Sequence, residues 1–219
     1  MESLQFEDLK RHTNPCPGLP FAHLNLRFNP FGELTRQERA TLAVVDLGDL
    51  PRFLHNERHA IQFLAHQGNG KSTHLLALHT HFSDASYTQF YPGEKPTLSL
   101  TPMSFLDSFD LLPARQRRRL YGRMRSFACT THVDLSNELH RAGIHVRTVE
   151  VGRYAPSRLK EIFRRRIVFA QRHANQPVPA LHDKTVQRLM EKHGDNIRAM
   201  ESELYDIFQQ LKETTLVKM

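Results

Sequence analysis

The residues best suited to chemistry lie in one short run, Ala65-His66-Gln67-Gly68-Asn69-Gly70-Lys71-Ser72-Thr73. It follows the phosphate-loop pattern G-x-x-x-x-G-K-[ST] at every position but the first, where Ala65 stands for glycine. Gly68 and Gly70 let the backbone enter conformations closed to residues with a Cβ, so that successive N–H groups of residues 67–73 converge on phosphate oxygens. The positive end of the following helix adds to that field. Lys71 is placed to meet β and γ phosphates, and the Ser72 hydroxyl is a ligand suited to Mg²⁺. Such a site needs a second, metal-ordering carboxylate at the end of a neighbouring strand. Asp107, closing Met103-Ser104-Phe105-Leu106, stands where it is needed; its other reading is a cap for the helix that follows. The position after it, where a glutamate would polarise the attacking water, is Ser108, which is no base at neutral pH, and Asp110 is the nearest substitute.

The elements around these residues are legible from the pattern. HAIQFLA at 59–65 is a short apolar run suited to a buried strand, and Leu75, Leu76, Leu78 and Phe82 follow the loop at helical spacing. Further strands are expected at 86–91, 103–107, 126–132 and 144–151, with helices at 113–125 and 134–143. A connection too short for a full crossover helix precedes Met103. Strands alternating with helices predict a parallel α/β sheet. Ahead of it, residues 29–47 read as a turn and a short helix that Pro51 closes. After Tyr154 the order changes to three helices, near 156–174, 182–193 and 196–212. The expected organisation is an N-terminal arm over 1–28, a nucleotide-binding α/β core over 29–153 and a helical lid over 154–219. Asn29-Pro30-Phe31 either lines a base pocket or packs across the sheet.

Composition agrees with an ordinary globular chain. It has 219 residues, 39% hydrophobic and 24% charged, with 10 Gly and 12 Pro. Lys and Arg number 30 against 23 Asp and Glu, and the net charge of +7 suits a polyanionic partner. The 2 cysteines, Cys16 and Cys129, have no metal-like spacing and suggest no disulfide framework, which fits a reducing, cytoplasmic setting. No stretch has the apolar length of a membrane span, and the start lacks the order of a signal peptide. His74, His79 and His81 have no acidic or cysteine partner in the pattern, so a metal site there is not expected.

The ordered set of motifs resembles AAA+ ATPases, and among them the small bacterial ATPases of the ExeA, TniB and TnsC type. Beyond the loop and Asp107, the resemblance rests on Thr131-His132 at the end of SFACTTH, on YAPSRLKEIFRRRI at 154–167 and on Gly194-Asp195-Asn196-Ile197-Arg198. It implies a P-loop parallel sheet flanked by helices with a small C-terminal helical lid. It implies ATP with Mg²⁺, with adenine preferred over guanine on resemblance alone. Thr131 would sense the γ-phosphate or orient water, and Arg198 would reach from the lid toward it, unless Arg198 is an ordinary exposed helix arginine. A homo-oligomer is implied, in which Arg141 would complete a neighbour's site unless it is a solvated charge.

Residues 113–125 carry Arg115, Arg117, Arg118, Arg119, Arg123 and Arg125 and no acid. That density suits double-stranded DNA phosphates, an acidic or DNA-associated protein partner, or a subunit interface. Three functions therefore stand side by side: a slow ATPase regulating a partner through lid closure or assembly, a nucleotide-gated binding module with negligible hydrolysis, and a basic DNA-binding protein with a vestigial nucleotide site.

Overall fold

A computed structural model describes residues 20–94, 101–212 and 216–217. The proline-rich run before residue 20, and residues 95–100 of the connection ahead of Asp107, lie outside these. Along the chain come α1 (Arg36–Thr41), α2 (Leu50–Leu54), β1 (His59–Leu64), α3 (Lys71–His79), β2 (Ser86–Gln89), β3 (Met103–Asp107), α4 (Ala114–Tyr121), β4 (Ser126–Thr131), α5 (Ser136–Arg141) and β5 (His145–Glu150). Then follow α6 (Pro156–Ala170), β6 (Ala180–Leu181), α7 (Asp183–His193), α8 (Ile197–Gln210) and β7 (Leu216–Val217). The described residues form two compact units, those within 39–153 and those within 20–38 together with those from 154 on.

The first unit is a five-stranded sheet in the order β2-β3-β4-β1-β5. Every pairing is parallel, with Leu64 beside Thr131 and Gln89 beside Asp107. All strands therefore end on one edge. From β1 the chain crosses to the far strand β2, works back through β3 and β4, and then adds β5 on the other side of β1. The direction of winding changes at β1, and in sheets of this kind ligands bind outside the carboxyl end of the strand where it changes. β4 is buried throughout and β1 nearly so, while β2 and β5 form half-covered edges. Central parallel strands are covered on both faces, which is why they read as continuous apolar runs.

On one face α3 lays Leu75 and Leu78 toward the sheet, with Phe63 against His74 and Phe105 against His79 and Phe82. On the other, Leu120 and Tyr121 of α4 and Leu139 of α5 bury Ala60, Leu106, Phe127 and Cys129. Tyr121 stacks on Phe127 at 6.0 Å and 14°. Burying each such large apolar side chain contributes about 1.5–3 kcal/mol, so both helix layers are fastened mainly by these contacts. Pro51 corrects the sequence expectation. It does not close a helix; it sits in the first turn of α2, where its fixed φ fits and its missing N–H is not needed.

In the second unit α6, α7 and α8 enclose Leu159, Phe163, Val186, Leu189, Leu204 and Phe208. The segment before α1 packs with them. Phe31 meets Phe163 at 5.9 Å and Phe208 at 5.1 Å, and Leu26 forms a bridge with Gln171. Arg166 is buried and donates to the Pro30 carbonyl and to Glu201. Asn29-Pro30-Phe31 thus packs on the C-terminal helices. β6 and β7, a parallel two-residue pair, have no signal in the sequence. The fold is α/β, a parallel sheet flanked by helices, with C-terminal helices following it. No helix among the described residues is long and apolar enough to cross a membrane.

Candidate nucleotide site

The loop between β1 and α3 has the backbone that its glycines predict. Gly68 has φ 87° and Gly70 φ 83°, both in the left-handed region that side chains with a Cβ rarely enter. Gly70 is the residue on which α3 begins, and the first N–H groups of a helix have no intrahelical acceptor. Gln67 is exposed, Asn69 is buried, and Thr73 lies half-buried in the first turn of α3. Lys71 is buried with its Nζ 2.7 Å from the Ala65 carbonyl and 2.9 Å from that of His66, so the ammonium is folded back over its own loop.

At the end of β3, Asp107 is 2% exposed, and hydroxyl groups converge on it. Ser72 Oγ donates to Oδ1 at 2.9 Å, Thr130 Oγ1 donates to Oδ1 at 2.6 Å, and Tyr87 Oη donates to Oδ2 at 2.8 Å. The residue opens no helix with its side chain, so the capping alternative has no hydrogen bond behind it. Two hard oxygen donors side by side beneath a glycine loop form the donor set that Mg²⁺ prefers. The residues present fit that ion together with the phosphates of a nucleotide. Among the described residues no group of three His, Cys, Asp or Glu gathers elsewhere to hold a metal.

The two threonines ending β4 have different partners. Thr131 is buried, but its Oγ1 donates to the Val133 carbonyl at 2.5 Å and accepts from the Val133 N–H. Thr130 instead meets Asp107, and its Oγ1 also accepts the Ser108 N–H at 2.7 Å. Successive strand residues face opposite sides, so only one of two adjacent threonines can look toward β3's carboxylate. Alternation from Ala128 picks Thr130, but the pair Thr-Thr leaves the choice ambiguous in the sequence. Tyr87 belongs to no motif; only the register of β2 on β3 brings it there.

Ser108 adopts φ 61°, ψ 45°, unusual for a residue with a side chain, and turns the chain so that Asp110 faces the end of β4. Asp110 Oδ2 accepts from His132, through its backbone N–H at 3.2 Å and its ring Nδ1 at 3.0 Å.

Two other expected residues are not among the partners of Asp107. Arg141 is exposed at the last turn of α5, which leads into the start of β5, on the edge of the sheet opposite to the strand ends. Arg198 is exposed on the first turn of α8, in the second unit. Its helix is capped by Asn196, whose side chain accepts the Ala199 N–H at 3.0 Å.

The arginines of α4 and the turn after it divide in two. Arg115, Arg118, Arg119 and Arg123 are exposed, at spacings that place 115, 118 and 119 on one helical face. Arg117 is corrected: it is buried and bound twice to Glu138, at 2.6 and 3.1 Å, and to the Leu112 carbonyl at 2.5 Å. Tyr121 Oη donates to the same carboxylate at 2.6 Å. Burial pushes the Tyr121 hydroxyl up, reinforced by Glu138. Burial also works to raise Glu138, but the hydrogen bonds from Arg117 and Tyr121 outweigh it and hold this carboxyl below its usual range. This triad ties α4 to α5 and leaves Arg117 nothing to offer a phosphate.

No protein-family model matches the chain, and no curated protein matches it. A similar solved structure is that of a single-substitution variant of RuvB from Thermotoga maritima, with a TM-score of 0.48 and 12% identity over 73% of this chain. The aligned region covers 58% of that structure's chain.

Proposed function

We propose that this chain is an AAA+-type ATPase of slow turnover that binds ATP with Mg²⁺ at residues 67–73. The observation that carries the proposal is the convergence of Ser72 and Asp107 at 2.9 Å directly after a loop with two left-handed glycines and a buried lysine. In this reading Lys71 leaves its loop carbonyls for the β and γ phosphates, and the N–H groups of Gly68 to Thr73 line the phosphates. Ser72 and Asp107 would hold Mg²⁺, which neutralises charge on the phosphates during transfer. Thr130 and Tyr87 keep the Asp107 carboxylate oriented. Adenine over guanine rests on the resemblance to AAA+ proteins, as do the roles of Arg198 within the chain and Arg141 toward a neighbouring copy in a homo-oligomer. The output is lid movement or assembly that regulates a partner. The exposed Arg115, Arg118, Arg119 and Arg123 support double-stranded DNA, or a protein bound to it, as that partner.

Ser108 favours one second reading, a nucleotide-gated module in which ATP stabilises one conformation without being consumed. Equilibrium binding of ATP with Mg²⁺, followed by phosphate release in the same samples, separates the two. Binding that falls at least about tenfold in Lys71→Ala supports the site, since a charge-assisted contact contributes roughly 1.5–3 kcal/mol. Unchanged affinity in that variant would refute it. Slow phosphate release supports the ATPase, and its absence supports the module.

A further inference from the structure

We propose that His132, oriented by Asp110, takes the proton from the attacking water and so fills the role that Ser108 leaves vacant. The inference rests on the ATPase reading above and adds a residue to it.

The dyad lies between the ends of the two strands that build the metal-ordering cluster. Asp110 is three residues beyond Asp107, and His132 is two beyond Thr130, whose hydroxyl touches Asp107 at 2.6 Å. The left-handed turn at Ser108 is what carries Asp110 across to β4. A carboxylate only accepts, so in the neutral imidazole the 3.0 Å contact holds the proton on Nδ1 and leaves the lone pair on Nε2. Nε2 has no hydrogen-bond partner among the described residues. The ring is 40% exposed, open to water, while the Asp110 side chain is only 11% exposed.

The second oxygen of Asp110 points the same way. Oδ1 is buried and has no hydrogen-bond partner among the described residues. Buried carboxylate oxygens are nearly always satisfied, so one left open needs a reason. Oδ2 is the oxygen that faces His132, and no Lys or Arg is paired to Asp110 among the described residues, so its negative charge is left to stabilise the imidazolium formed when Nε2 gains a proton. A carboxylate that orients imidazole and stabilises its protonated form is a recurring catalytic arrangement.

The step balances. A water proton passes to Nε2 of His132 as the water oxygen bonds to the γ-phosphorus, and the bond from that phosphorus to the β–γ bridging oxygen breaks. Its electron pair remains on the β-phosphate of the departing ADP. His132 then returns its proton to solvent. Asp110 is a positioning residue; His132 is the catalytic one.

The test uses the full chain with ATP and Mg²⁺. His132→Ala and His132→Gln should each lower kcat about a hundredfold, the usual range for a general base, while the Kd for ATP moves less than about twofold. Added imidazole should restore turnover in His132→Ala, which a structural role would not allow. Asp110→Asn should lower kcat as well, yet add little on top of His132→Ala, because the two act as one unit. Unchanged kcat in both His132 variants, or a loss that imidazole does not restore, overturns the proposal. So does wild-type protein that binds ATP and releases no phosphate, although nucleotide binding itself then stands. A wild-type protein that binds no ATP overturns the underlying reading first and this one with it.

Discussion

Ser72 Oγ and Asp107 Oδ1 lie 2.9 Å apart, joining the first turn of α3 to the last residue of β3. One residue is the hydroxyl that follows the glycine loop after β1, and the other is a buried carboxylate that accepts two further hydroxyl protons. Asp107→Asn keeps the volume and removes the charge. It should raise the Mg²⁺ concentration needed for half-maximal nucleotide binding at least about tenfold, since a missing charge-assisted ligand interaction is worth roughly 1.5–3 kcal/mol. Thr130→Val should shift the same curve by a smaller factor, because it frees Asp107 without discharging it. A Mg²⁺ titration of nucleotide affinity reads both, and coincident curves for wild type and Asp107→Asn would remove the metal role.

The split among the α4 arginines makes a second comparison. Replacing Arg118 and Arg119 by Ala should leave thermal stability within about 0.5 kcal/mol, because both are exposed and away from the core. If α4 binds DNA, each arginine taken off a phosphate should reduce the slope of log affinity against log salt by about 1. Arg117→Ala should do the opposite, taking the charged partner from the half-buried Glu138 carboxylate and leaving it only the Tyr121 hydroxyl, at a cost of about 1.5–3 kcal/mol, while any salt slope stays unchanged. Chemical denaturation and a salt series on duplex DNA check the two variants together.

How far the sequence reaches is visible in these same residues. Gly68, Gly70, Lys71, Ser72 and Asp107 can be named because each is demanded by local chemistry at fixed spacing, and the strands are legible because buried parallel strands are continuously apolar. Arg117 is not separable from its neighbours, since residue type says nothing about which face of a helix is turned inward until Glu138 is known to lie opposite. Thr130, Tyr87 and the contact of Asp110 with His132 depend on pairings between strands distant in sequence. Phe31 likewise meets α6 and α8 only through tertiary packing, and no local signal carries that.

Glu138 provides a prediction in pH. Burial works to raise its carboxyl, yet the hydrogen bonds from Arg117 and Tyr121 hold it below the ordinary range in the folded chain. A depressed folded value means that its stabilisation is complete above the unfolded value of about 4.3 and is lost as pH falls through the folded one. Stability of Glu138→Gln should therefore be lower than wild type near neutrality by about 2–4 kcal/mol, with the gap narrowing below about pH 4. Urea midpoints at several pH values measure it; a constant gap down to about pH 2–3 would contradict the assigned cause.

The segment that joins the C-terminal helices has its own test in Asn25. This residue is 5% exposed and sits at φ 56°, ψ 33°, the left-handed region that asparagine tolerates better than most residues. Its Nδ2 donates to the carbonyls of His173 and Gln176 at 2.9 Å each, and its Oδ1 accepts the His173 N–H at 3.0 Å. Three hydrogen bonds at about 0.5–1.5 kcal/mol apiece put Asn25→Gly roughly 2–4 kcal/mol below wild type, although glycine keeps the backbone conformation. Asn25→Ala loses the same bonds and adds the left-handed penalty, a further ~1–2 kcal/mol. The order wild type, Gly, Ala in urea midpoint separates the side-chain bonds from the backbone term. If Ala equals Gly, the left-handed conformation contributes nothing, and if Gly equals wild type, the turn at residues 173–176 does not depend on Asn25.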